Sequence, residues 1–319
     1  MQRLLILFLA FLMFSPLSLA LIPSTALAQI VAPTPYPRLE RPLDEAYQPT
    51  QPDPSPQIAS PIITGPAQPL TLVARISETG PIISQGLVWR IFEAEPDENG
   101  NMILLKKSEQ AIAKLSIDQG NYIIHASYGR AQASETINVG KEPTNKTLIL
   151  NSGALRLNAA ITGDISIRSS LLKFDISTSS LDPNERVLIA KDIKPNKIIN
   201  LNAGNYFVVS YFGETNATVS ADIKVEPGQI TDATLFHRAG LVSFKLVSEA
   251  GGREIADVDW TIKNADNKII HSSINAFPSA ILSEGDYVVI AKRGQNVYNR
   301  DFSVIPGPAR EIELLISVY

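Results

Sequence analysis

The side chains able to do chemistry are few and scattered. His125, His237 and His271 are the only imidazoles, and 319 residues contain no cysteine. Nucleophilic catalysis needs a base beside a serine or cysteine, and a zinc site needs three or four ligands converging on one point. The three histidines fall at unlike places in the chain, so neither is expected. Paired carboxylates occur at Asp97-Glu98, at Glu93 with Glu95, and at Asp257 with Asp259. None continues into the regularly spaced oxygen ligands of a calcium loop, and the nearest approach to one is the turn 97–101. Gly80-Pro81 and Gly251-Gly252 read as turns, with no phosphate-loop pattern around them. The expectation is no catalytic residue, no metal, no cofactor and no enzyme.

Composition excludes further classes. Charged residues make up 19% of the chain and the net charge is -4, which fits neither a basic nucleic-acid binder nor an acidic disordered chain. Apolar and aromatic residues at 45% are enough for packed cores. Arg3, an apolar run over 4–14 and the small residues of Ala26-Leu27-Ala28 read as a secretory signal peptide, residues 1–28. With no cysteine, neither lipid attachment at an N-terminal cysteine nor a disulfide is available, so each domain must stand on packing alone. No later stretch approaches the roughly 18 apolar residues of a membrane span. Residues 29–69 read as an extended linker, because 11 of the 22 prolines fall within 31–69.

The rest of the chain repeats itself. Gly120-Asn121-Tyr122, Gly204-Asn205-Tyr206 and Gly285-Asp286-Tyr287 lie 84 and 81 residues apart, and each is followed by a second glycine nine residues after the first. Ser77-Glu78-Thr79-Gly80 and Trp89 match Ser248-Glu249-Ala250-Gly251 and Trp260 at one offset of 171. Phe174 takes the tryptophan's place in the middle copy. Three domains are expected, at 70–152, 153–238 and 239–319.

Within each copy the apolar residues alternate. Tyr122, Ile124 and Ala126 would share one face of a strand, as would Tyr206, Val208 and Ser210, and Tyr287, Val289 and Ala291. Their neighbours Ile123, Phe207 and Val288 are apolar too, which predicts central strands buried on both faces or nearly so. Further strands are expected at 70–76, 87–92, 147–150, 243–247 and 311–318, and amphipathic helices are not.

A glycine, a polar residue and a tyrosine opening a strand resemble the tyrosine corner of Ig-like sandwiches, in which the phenol bonds back to nearby backbone. The strings Leu201-Asn202-Ala203-Gly204-Asn205-Tyr206 and Leu282-Ser283-Glu284-Gly285-Asp286-Tyr287 are also similar to the carboxypeptidase regulatory-like and PEGA-type sandwich modules of bacterial envelope proteins. The resemblance covers roughly residues 69–319. It implies an all-β fold of three tandem Ig-like sandwiches, with Tyr122, Tyr206 and Tyr287 as corners and Trp89, Phe174 and Trp260 as core aromatics. It further implies a non-catalytic spacer or a binder of protein or carbohydrate. Repeat architecture and the export signal, without chemistry, point to a non-enzymatic scaffold or adhesion module whose partner is another envelope protein, located in the periplasm or else at the surface or secreted. The alternative is a carbohydrate or peptidoglycan binder, for which Tyr128, Tyr211, Phe212 and Tyr298, clustered after the tyrosine strands, would supply the ligand surface.

Overall fold

The computed structural model describes residues 66–316, and the expected signal peptide and most of the expected linker lie outside them. The first group of strands is β1 (Gln68–Arg75), β2 (Leu87–Glu93), β3 (Leu104–Ser108), β4 (Ile112–Ile117), β5 (Gly120–Tyr128), β6 (Ala131–Val139) and β7 (Thr144–Ile149). The second is β8 (Ser152–Ile161), β9 (Ile165–Ser166), β10 (Leu172–Thr178), β11 (Leu188–Ile193), β12 (Ile198–Asn202), β13 (Gly204–Phe212), β14 (Thr218–Val225) and β15 (Ile230–His237). The third is β16 (Ala239–Val247), β17 (Asp259–Asn264), β18 (Ile269–Ser273), β19 (Ser279–Ser283), β20 (Gly285–Arg293), β21 (Asn296–Val304) and β22 (Arg310–Leu315). Two single-turn 3-10 segments are the only helical elements among the described residues.

One topology recurs three times. The four-stranded sheets run β3-β2-β5-β6, β11-β10-β13-β14 and β18-β17-β20-β21. The others run β4-β1-β7, β12-β8-β15 and β19-β16-β22, with β9 added on β8. In each of the latter the first strand of the copy pairs antiparallel with one neighbour and parallel with the last strand. Both sheets of a copy contribute to one apolar cluster, so each copy is a two-layer sandwich, and the chain is all-β with three Ig-like sandwiches in tandem.

Alternation explains the cores. Along β5, Tyr122, Ile124 and Ala126 are buried while Ile123 and His125 are half-buried on the other face. The same pattern holds in β13 and β20. Against the expectation of burial on both faces or nearly so, the outer face is half-buried. Ile123, Phe207 and Val288 lie on the outer surface of a sheet, where neighbouring side chains rather than a second layer shade them. Trp89, Phe174 and Trp260 sit at one register, opposite Ala126, Ser210 and Ala291, and all three are buried. Small partners leave room for the large rings, as close packing requires.

Strand limits differ modestly from those read in the sequence. Pro69 belongs to β1, β7 begins at Thr144 and β16 at Ala239. Only two residues separate β7 from β8, and only one separates β15 from β16.

Candidate interaction surfaces

The three tyrosines share one geometry. The hydroxyl of Tyr122 donates to the Asp118 carbonyl at 2.9 Å, that of Tyr206 to Asn202 at 2.7 Å, and that of Tyr287 to Ser283 at 2.9 Å, each four residues upstream. Each bond staples the turn before β5, β13 or β20 to the core. Burial pushes the Tyr206 phenol up to about 12, and raises Tyr122 as well, with the Asp118 and Glu93 carboxylates adding to it.

Around these corners the sandwiches join. At the first joint the β5–β6 hairpin turn meets β12: the Arg130 N–H donates to the Asn200 carbonyl at 3.0 Å. Asn202 then behaves as an extra peptide group. Its Oδ1 accepts from the Gln132 N–H at 3.1 Å, and its Nδ2 donates to the carbonyls of Gln132 and Leu150, both at 2.9 Å. At the second joint the β13–β14 loop meets β19 in the same sense. The Thr215 hydroxyl donates to the Ile281 carbonyl, Asn216 Oδ1 accepts from the Ser283 N–H at 3.1 Å, and Asn216 Nδ2 donates to the Tyr287 hydroxyl at 2.8 Å. Ile281 is buried in the apolar cluster of the second sandwich.

Linker backbone repeats the theme. Ala203 N–H donates to the Asn151 carbonyl and Glu284 N–H to the Arg238 carbonyl, both at 2.8 Å, and Arg238 also ion-pairs with Glu284. Side-chain amides that bond across both joints, closed by linkers of one or two residues, leave little freedom for bending.

The residues expected to form a ligand surface do not converge. Phe212 is 4% exposed and packs edge-on against His237 at 5.6 Å between ring centroids, so it belongs to the core of the second sandwich. It follows Tyr211 in β13, and successive strand residues face opposite ways. Tyr128 packs on the first core and covers Gly86, and Tyr298 packs on the third. Tyr211 lies on the outer face of its sheet, with its hydroxyl 3.3 Å from Asp175 and the Lys173 ammonium 5.7 Å from its ring centre.

The histidines occupy three different sandwiches. His125 Nδ1 lies 2.8 Å from the Ser134 hydroxyl on an outer face, and burial, then Arg90, lowers its pKa. His237, by contrast, is 1% exposed, with Nε2 2.8 Å from the Ser210 hydroxyl. Burial lowers its pKa to about 4, so it is neutral in the fold. The turn 97–101 spends its carboxylate internally: Asp97 Oδ1 accepts from the Asn99 and Asn101 N–H groups at 2.9 and 2.7 Å. A cleft of about 370 Å³ beside the third corner holds Asp286 and Asp301, and the Ser303 hydroxyl donates to Asp286 at 2.6 Å. Among the described residues no three His, Asp or Glu side chains are grouped to hold a metal ion, and no helix is long and apolar enough to cross a membrane.

Fold and joints together define a tandem β-sandwich protein. The family described as the Rhizobiales growth-associated tandem repeat domain matches residues 241–316, within the third sandwich. No curated protein matches the chain. Among solved structures, the Bacillus anthracis TIE protein is 16% identical at a TM-score of 0.23, the match covering 78% of this chain and 51% of that one. A streptococcal ancillary pilin is 12% identical at a TM-score of 0.29, over 78% of this chain and 98% of that one. The minor pilin of Streptococcus agalactiae is 12% identical at a TM-score of 0.29, over 53% and 95%.

Proposed function

We propose that this chain is a non-enzymatic, exported envelope protein that works as an interaction scaffold: three coupled sandwiches in tandem, at 70–152, 153–238 and 239–319, preceded in sequence by a proline-rich spacer. The observation that carries the reading is the pair of amide clamps, Asn202 and Asn216, at equivalent joints. A binding cleft or catalytic site gains nothing from them, whereas a spacer that must hold partners at fixed separation does. The leader-like residues 1–28 support export, and the partner class is another envelope protein. Cross-linking of the tagged chain in its native envelope, followed by capture, tests this. Recovery of a defined envelope protein supports it, and recovery of none, with the chain retained inside the cell, overturns it.

A second reading, binding to cell-wall glycan, draws on the outer face of β13 and β10, where Tyr211, Lys173 and Asp175 combine an aromatic ring with polar groups. Sedimentation with purified peptidoglycan that is lost in Tyr211→Ala would favour it over the scaffold.

A further inference from the structure

The two joints seat a hairpin turn on equivalent residues of the next sandwich, and among the described residues neither the corner of the first sandwich nor the hairpin of the third meets another sandwich in this way. In register, Ser116 in β4 corresponds to Asn200 and Ile281, the residues on which the preceding hairpins seat. Ile281 is buried and Asn200 half-buried, whereas Ser116 is exposed, as is Asp118, which stands where Asn202 clamps the first joint and where the Ser283 N–H meets Asn216 at the second.

The opposite half, on the third sandwich, meets no other sandwich among the described residues. The β20–β21 hairpin turns through Gly294-Gln295, with Arg293 paired to Asn296. The docked β5–β6 hairpin turns identically through Gly129-Arg130, with Tyr128 paired to Ala131. Both glycines are left-handed, at φ of +60° and +62°, so the two turns share one backbone shape that an L side chain would strain. Ala131 is buried in the core of the first sandwich, whereas Asn296 is exposed.

Charge distinguishes the free halves. Lys292 and Arg293 flank the free turn, and both are exposed. The free corner carries Asp118, with Glu93 paired across from Tyr122 beside it. We infer that the β20–β21 turn of one copy of this chain docks on the β4–β5 corner of a second copy, continuing the internal joint head to tail. Asp118 replaces Asn202, its carboxylate accepting from the Val297 N–H as Asn202 Oδ1 accepts from Gln132, and it meets Lys292 and Arg293 as opposite charges. A heterologous contact of this kind is not closed by a two-fold axis, and it adds molecules head to tail into an open chain or, where its rotation closes, a ring. Inside one molecule the short linker supplies a high effective concentration, so association between copies is weaker and rises with protein concentration. The proposal rests on the scaffold reading and gives that scaffold a means of extension.

The absence of native cysteine makes the test direct. Residues 29–319 carrying Ser116→Cys and Gln295→Cys are oxidised mildly over a concentration series and run without reductant. The expected result is a ladder of dimers, trimers and longer species. Adding Asp118→Lys should cut cross-linking about tenfold, and adding Lys292→Glu with Arg293→Glu to that background should restore it. Thermal unfolding of each variant confirms that the fold is intact. Monomer alone, or a ladder insensitive to Asp118→Lys, overturns the proposal, as does a corner cross-linked only to its own proline-rich segment through a cysteine placed there. The envelope capture remains a separate readout, so loss of the ladder with a partner still recovered sinks this contact and not the scaffold.

Discussion

The side-chain amide of Asn216, in the second sandwich, donates at 2.8 Å to the hydroxyl of Tyr287, which is the corner of the third. The same hydroxyl donates to the Ser283 carbonyl, so one phenol closes a turn and ties two sandwiches together. Removing the hydroxyl leaves Asn216 Nδ2 unpaired in a half-buried place, whereas removing the amide leaves the phenol its bond to Ser283. In a double-mutant cycle, Asn216→Ala and Tyr287→Phe should each destabilise, with a coupling energy of about 1 kcal/mol. Denaturant unfolding of the four proteins measures it, and strictly additive losses would show that the bond contributes nothing.

The middle corner lacks such a partner on its hydroxyl. Tyr206→Phe leaves the Asn202 carbonyl without its donor and should cost about 1 to 1.5 kcal/mol, read as a lower denaturant midpoint at unchanged slope.

Much of this was legible in the sequence. The period, the three tyrosines and the aromatic at the Trp89 position followed from spacing, because corner and core contacts are local to one copy. The joints were not, since Asn202 and Asn216 bond to residues some 70 positions away and lie outside the repeated Gly-x-Tyr string. The buried imidazole was missed for another reason. Ser210 stands where the other copies have Ala126 and Ala291, a polar exception in an apolar column, yet its partner His237 lies on the opposite sheet and no local pattern couples them.

That imidazole makes the second sandwich acid-sensitive. Its folded pKa, about 4, lies below the ordinary 6.5, so between these values the unfolded chain binds more protons than the folded one. Stability should therefore be fully present above about pH 6.5 and decline as pH falls toward 4, by up to about 3 kcal/mol. Replacing the pair with apolar residues, Ser210→Ala with His237→Leu, should flatten this part of the pH profile. An unchanged slope in the double variant would assign the acid sensitivity elsewhere.

Gly153 and Gly240 are the second residues of the first strands of the second and third sandwiches, but their surroundings differ. A Cβ on Gly153 would stand 2.1 Å from the Glu226 carbonyl oxygen and 2.8 Å from Val225 Cγ1. On Gly240 the nearest atom would be the Ile305 carbonyl oxygen at 3.2 Å. Gly153→Ala should destabilise by several kcal/mol, because backbone must move, and Gly240→Ala by about 1 kcal/mol or less. Comparable midpoints for the two variants would contradict the packing described.

Scanning calorimetry of residues 29–319, alone and with Asn202→Ala plus Asn216→Ala, bears most directly on whether the sandwiches act as one coupled scaffold. The account expects the native chain to unfold in a single cooperative transition, and the doubly unclamped chain to break into separate transitions at lower temperature. Separate transitions already present in the native chain, and unmoved by the two substitutions, would contradict it.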